Sequence, residues 1–153
     1  MIRGITFEIP NTYGSYLSDI LEPLSASKLF WSIGEQEIYK VQDDKLSDTA
    51  LLINNTILEN EVFWKALNEG EYYVIFSDLK AYSTSNITTI NTYADFLKSD
   101  CLLALLIADS NIVTIYCRDS HLLELLYKQV AVKNFKNIEY ITDENDVRTY
   151  LGN

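Results

Sequence analysis

The stretch Cys101-Leu-Leu-Ala-Leu-Leu-Ile-Ala108-Asp-Ser-Asn-Ile112-Val-Thr-Ile-Tyr-Cys117 decides how this chain is read. Its first half is apolar on both faces, as a strand in the middle of a sheet must be. Asp109-Ser110-Asn111 is turn chemistry, because short polar side chains bond their own backbone and tolerate left-handed conformations. The β-branched run after the turn returns antiparallel. A hairpin buried on both sides follows, and the other segments are read as its neighbours and covers. The run from Cys101 to Ala108 is also the longest unbroken apolar stretch, and it is too short to cross a bilayer.

Outward from this hairpin, Tyr72-Tyr-Val-Ile-Phe76 reads as another central strand. Ile5, Phe7 and Ile9 alternate with polar residues, the period of a half-buried strand. Leu29–Ile33 and Glu37–Val41 form a predicted hairpin around Gly34-Glu35, and 137–141 is a further strand. Residues 42–56 read as an acidic loop. Helices are expected after Asn11 up to Pro23, over 59–68, from the Thr92-x-x-Asp95 capping box to Lys98, over 120–133 behind Asp119 or Ser120, and over 144–151 behind Asp143. Helical crossovers before Leu102 and before Ile138 predict parallel neighbours. The expected fold is α+β: one domain over 1–153, with a mixed sheet of about six to seven strands and four to five packed helices. Ile75, Leu105 and Leu126 are its core candidates, each expected to unfold much of the population when cut to Ala.

The chain has 153 residues and a net charge of −10, of which residues 1–76 carry −7. It has no cluster of Lys and Arg, so nucleic acid and anionic membranes are excluded as expected partners. A basic protein remains electrostatically suitable. Cys101 and Cys117 fall too far apart in a hairpin to bridge, and read as free buried thiols in a reducing cytoplasm. The alternating N-terminus lacks the apolar run of a signal peptide. One histidine and two separated cysteines do not make a structural zinc site. Neither a phosphate-binding glycine loop nor a nucleophile elbow occurs. No cofactor, metal or catalytic residue is expected, and the reading leans away from an enzyme.

Arg3-Gly-Ile-Thr-Phe-Glu-Ile-Pro-Asn11, Tyr72-Tyr-Val-Ile-Phe-Ser-Asp-Leu-Lys-Ala-Tyr82, Val113-Thr-Ile-Tyr-Cys117 and Ile138-Glu-Tyr-Ile-Thr-Asp-Glu-Asn-Asp146 together resemble a family of small uncharacterised proteins from Bacillus and related bacteria. The resemblance covers nearly the whole chain. It implies a bacterial cytosolic protein of unknown function and assigns no chemistry to any residue.

Four constellations remain. Asp143, Glu144 and Asp146 with Arg148 form the densest polar cluster. It fails the Ca²⁺-loop pattern, and reads first as helix-start chemistry and second as a polar ligand site. Cys117 with His121 is the one nucleophile–base pair on offer, and a buried structural Cys beside a solvent-facing His is preferred. Asp78 and Asp109, with Tyr116, are placed near strand ends, where carboxylates are common. The stretch 35–71 holds nine acids against Lys40, Lys45 and Lys65, and carries Phe63-Trp64, one of which is expected to be partly exposed. Glu35, Glu37, Asp43, Asp44, Glu61 and Trp64 are therefore the candidate surface for a basic protein, by analogy of size and charge with immunity proteins and antitoxins.

Overall fold

The structure is a computed structural model that describes residues 1–152. In chain order it comprises β1 (Ile2–Glu8), α1 (Tyr16–Leu21), a 3-10 turn (Glu22–Leu24), β2 (Phe30–Ile33), β3 (Glu37–Gln42), β4 (Lys45–Ala50) and β5 (Thr56–Glu59). Then follow α2 (Asn60–Leu67), β6 (Tyr72–Tyr82), α3 (Tyr93–Lys98), β7 (Cys101–Ala108), β8 (Ile112–Cys117), α4 (Ser120–Val132) and β9 (Lys136–Thr142).

The central hairpin is as read. β7 pairs with β8 from Leu103↔Cys117 to Ala108↔Ile112, and Asp109 and Ser110 both take positive φ at the turn. β6 lies on the other side of β7. Its eleven residues outrun any one neighbour on its far edge. The first half, Tyr72–Phe76, pairs with β3, and the second half, Leu79–Tyr82, pairs with β2. The sheet therefore branches at Ser77. One branch continues from β3 to β4, and the other from β2 to β5. Beyond β8 come β1 and then β9.

This corrects the expected α+β fold. The protein is mostly β: the described residues form nine strands in one antiparallel sheet, with only four short α-helices. Both expected parallel pairs are absent, for different reasons. α3 has six residues, a rise of about 9 Å, too short to carry the chain back along β7, which spans about 26 Å. The thirteen-residue α4 does carry the chain back, so β8 and β9 share a direction, but β1 lies between them and pairs antiparallel with each. One strand, β4, sits within the expected loop at 42–56, and β5 fills the gap between that loop and the helix expected from 59. Asp43 and Asp44 both take positive φ, a two-residue hairpin turn that pairs Gln42 with Lys45, and β5 follows soon after. The helix expected at 144–151 is absent. Asn145 accepts from Thr142 N with its Oδ1 and donates from Nδ2 to the Tyr140 carbonyl, which makes a turn.

One face of the sheet packs Ile5, Phe7, Trp31, Leu105 and Ile115 against the helices α1, α2 and α4. The other packs Tyr82, Ala104, Leu106 and Tyr116 under the 83–100 connection, through Ile90 and Phe96, and under the C-terminal Leu151. β1 must come very close to β8. A Cβ on Gly4 would lie 1.8 Å from the Ile115 carbonyl oxygen, so no other residue fits there. The branch strand β2 is pinned from one side by aromatic packing. Trp31 stacks on Phe63 with centroids 4.1 Å apart, and its Nε1 donates to Asn60 Oδ1 at 2.8 Å. Asn60 in turn donates to the carbonyls of Leu24 and Ser25. α2, which Asn60 opens, begins without a side-chain cap.

Leu105 and Leu126 are fully buried, whereas Ile75 is only half-buried, because it lies where β6 leaves the two-sided core. Urea unfolding should show Leu105→Ala and Leu126→Ala each losing about 2–5 kcal/mol. Ile75→Ala should lose less than either, and an equal loss would contradict this placement.

Candidate functional site

Of the four constellations, the fold draws the C-terminal one together and divides the acidic candidates between the two ends of the β2–β5 branch and the tip of the β3–β4 hairpin. The C-terminal cluster is closed upon itself. Asp146, with a side chain only 5% exposed, accepts from Arg3 Nη1 at 3.1 Å. It also accepts from the Tyr116 hydroxyl at 3.0 Å and from the Arg148 amide at 3.1 Å. Asp143 accepts from Arg3 Nε at 2.8 Å and lies 3.4 Å from the N-terminal ammonium. The Arg3 guanidinium lies over the Tyr93 ring, and Arg148 donates to the Gly152 carbonyl. Glu144 is exposed. The Arg3 bond and the N-terminus hold the Asp143 carboxyl below its ordinary range, while burial and the bond to Asp146 push the Tyr116 phenol up. A cleft of about 280 Å³ opens beside Tyr116, Asp146 and Arg148. Its carboxylate ties the C-terminal segment to β1 and β8, and its guanidinium is engaged within that segment by Gly152. Sequence reading found the acids and Arg148 but not Arg3, whose only signal was an unpaired cation in a half-buried strand.

The other sequence candidates separate. Asp78 forms an ion pair with Lys80 at 2.6 Å, and Asp109 sits in the β7–β8 turn. Among the described residues, no three His, Cys, Asp or Glu side chains gather to hold a metal. Cys117 is buried and directs its Sγ to the Asp119 carbonyl, while His121 is exposed on α4. Burial pushes the Cys117 thiol up to about 11 and that of Cys101 up to about 12. Burial favours the protonated thiol at both positions, and Cys117 turns its Sγ to a backbone carbonyl rather than to His121.

The acidic surface forms around the branch of the sheet. Glu35 and Glu37 flank the turn from β2 into β3 and border a cleft of about 430 Å³ between the two branches, with Tyr39, Leu52, Asn54 and Phe76 around it. Buried Gln36 lies in its wall. Ser77 donates to Gln36 Oε1 at 3.0 Å, and Gln36 Nε2 has no hydrogen-bond partner among the described residues. An unmet buried donor costs about 1–3 kcal/mol. At the opposite end of the β2–β5 branch, Glu61 and Trp64 border a larger groove of about 520 Å³, with Leu29, Phe30 and Glu59. Phe63 is the core partner of the aromatic pair, and Trp64 is the partly buried one, packed against the core's edge. Between cleft and groove runs β5, beside which Ile53, Ile57 and Val62 are 74%, 57% and 54% exposed. Asp43 and Asp44 stand apart at the tip of the β3–β4 hairpin. Ile53 was missed because 42–56 reads as a loop, in which an exposed Ile carries no face, and Ile57 because the strand at β5 was not read.

Two outcomes check these assignments. At pH 8 native Cys117 and Cys101 should react with iodoacetamide at least about a hundredfold more slowly than in denaturant, since their thiolate fractions fall with the raised pKa values. Lowering Asp143 makes its contribution one that is full above the unfolded carboxyl pKa, near 3.9, and lost as pH falls through the lower folded value. Arg3→Ala should therefore flatten the acid limb of the stability profile below about pH 4, and a profile unchanged from the parent would remove Arg3 from the cluster.

Comparison with known proteins agrees with the resemblance read from the sequence. The chain is 41% identical over 152 residues to the "Uncharacterized protein YncE" of Bacillus subtilis (strain 168), covering 99% of each. No solved structure matches it. Residues 2–152 match the family described as "Protein of unknown function (DUF2691)", and the chain belongs to that family.

Proposed function

We propose that this protein is a non-enzymatic interaction module that binds a basic protein through the acidic surface around the sheet branch. One observation carries the reading: exposed Ile53, Ile57 and Val62 lie beside one short strand, with Glu35 and Glu37 at one end and Glu59 and Glu61 at the other. Apolar surface rimmed by like charge suits a partner of opposite charge. The apolar part supplies affinity, and the charges supply approach rate and discrimination. Trp64 beside the groove is the residue type that anchors such contacts. The two buried thiols suit a reducing, cytoplasmic setting. Among the described residues no helix is long and apolar enough to cross a membrane.

A small-ligand site at Asp143–Arg148 is the weaker alternative, because those side chains already satisfy one another. Tagged protein should capture one stoichiometric basic protein from a Bacillus lysate at low salt and release it as salt rises. The variant Glu35→Lys, Glu37→Lys, Glu61→Lys should lose that capture, while Glu144→Lys retains it. Equal loss from Glu144→Lys would point to net charge alone and overturn the assignment to this surface.

A further inference from the structure

We infer that β5 is a strand-addition edge that takes an extended, basic segment of the partner protein. The inference rests on the interaction reading above and gives it a geometry. β5 pairs only with β2 among the described residues, so its outer edge is open. The Asn60 amide donates to the Leu29 carbonyl at 2.9 Å, which fixes the phase of the ladder. Antiparallel ladders alternate between residues that bond across and residues that bond away. Thr56 and Leu58 therefore bond toward β2, and Ile57 turns its N–H and C=O outward.

β5 has four residues, a span of about 13 Å. A strand laid along it is matched at both ends. One end reaches Glu35 and Glu37 at the cleft, and the other reaches Glu59, Glu61 and Trp64 at the groove. Main-chain bonds hold such a peptide in place, and alternate side chains carry the specificity. Here the carboxylates at each end select Lys or Arg, and Ile57 selects an apolar residue between them.

Charge decides the occupant. A second copy, itself at −10, would bring the same carboxylates face to face across the edge. A basic segment removes that repulsion. β4 and β9 are also edge strands, but the cleft touches β4 only at Ala50 and β9 not at all, and the groove touches neither.

The test uses a synthetic heptapeptide alternating Lys or Arg with Val, and fluorescence anisotropy with the full chain. The expected result is salt-sensitive binding, lost on Glu35→Lys with Glu37→Lys. Ile57→Pro should weaken it at least about tenfold, since proline removes the outward donor without breaking a ladder bond. Far-UV circular dichroism and a thermal melt check that this variant folds. The same peptide N-methylated at alternate amides should also lose binding at least about tenfold to the unaltered protein, which keeps the test independent of the variant. Charge-dependent binding that survives both N-methylation and Ile57→Pro would overturn strand addition while leaving the acidic surface standing. No binding up to about 1 mM peptide, or binding indifferent to the Glu35 and Glu37 reversals, would overturn the proposal. A concentration-dependent dimer abolished by Ile57→Pro would give the edge to a second copy and overturn it too.

Discussion

The length of β6 is the constraint on which the rest of the structure depends. A strand of eleven residues exposes more backbone donors and acceptors than one short neighbour can meet, and buried donors must be met. β7 satisfies one edge from Ser77 onward. The other edge is divided between β3 and β2, which join through the tight turn at Gly34-Glu35-Gln36. That division splits the sheet, creates the cleft at the fork and leaves β5 as the outer member of a short branch. Gln36 and Ser77 meet at the fork, where the Ser77 hydroxyl donates to the side-chain carbonyl of Gln36.

The two polar clusters differ in whether their charge is matched within the molecule. Around Asp146, charge is matched within the molecule. A guanidinium, a phenol and a backbone amide all converge on one buried carboxylate. That arrangement is costly to break and offers little to a visitor. Its work is to hold the C-terminal segment over the second face of the sheet, where Leu151 closes the core and donates its amide to the Asn91 carbonyl. Around β5 the balance is reversed. The carboxylates are exposed, the apolar side chains beside them lack covers, and part of the backbone edge is open.

The cysteines make a related point about position. Cys101 and Cys117 lie at the ends of the central hairpin strands, and both are buried. The helix that follows Cys117 caps itself with Asp119, whose side chain accepts from Leu122 N at 3.0 Å. The amides that might have lowered a thiol pKa are thus shared with a carboxylate, and burial decides the protonation of Cys117. A motif that placed Cys, Asp and His within five residues thereby resolves into ordinary helix capping.

Local chemistry determined much of this protein. The central hairpin, the strand at β1, the helices α2, α3 and α4, the Thr92–Asp95 capping box and the burial of both thiols follow from patterns that act over a few residues. So does the acidity of 35–71. Tertiary structure decided the rest, because it depends on pairings distant in sequence. Whether a returning strand lies beside its predecessor or one place beyond cannot be read from a helix's length, so β1 could enter between β8 and β9. Two aspartates make a poor hairpin signal, so β4 became visible only through its pairing with β3. The final segment holds helix-start residues, but Arg3, 140 positions away from Asp143, draws their carboxylates into ion pairs instead. The edge at β5 is the product of all these choices: its exposed isoleucines acquire a common place only when the long strand β6 forces the sheet to fork.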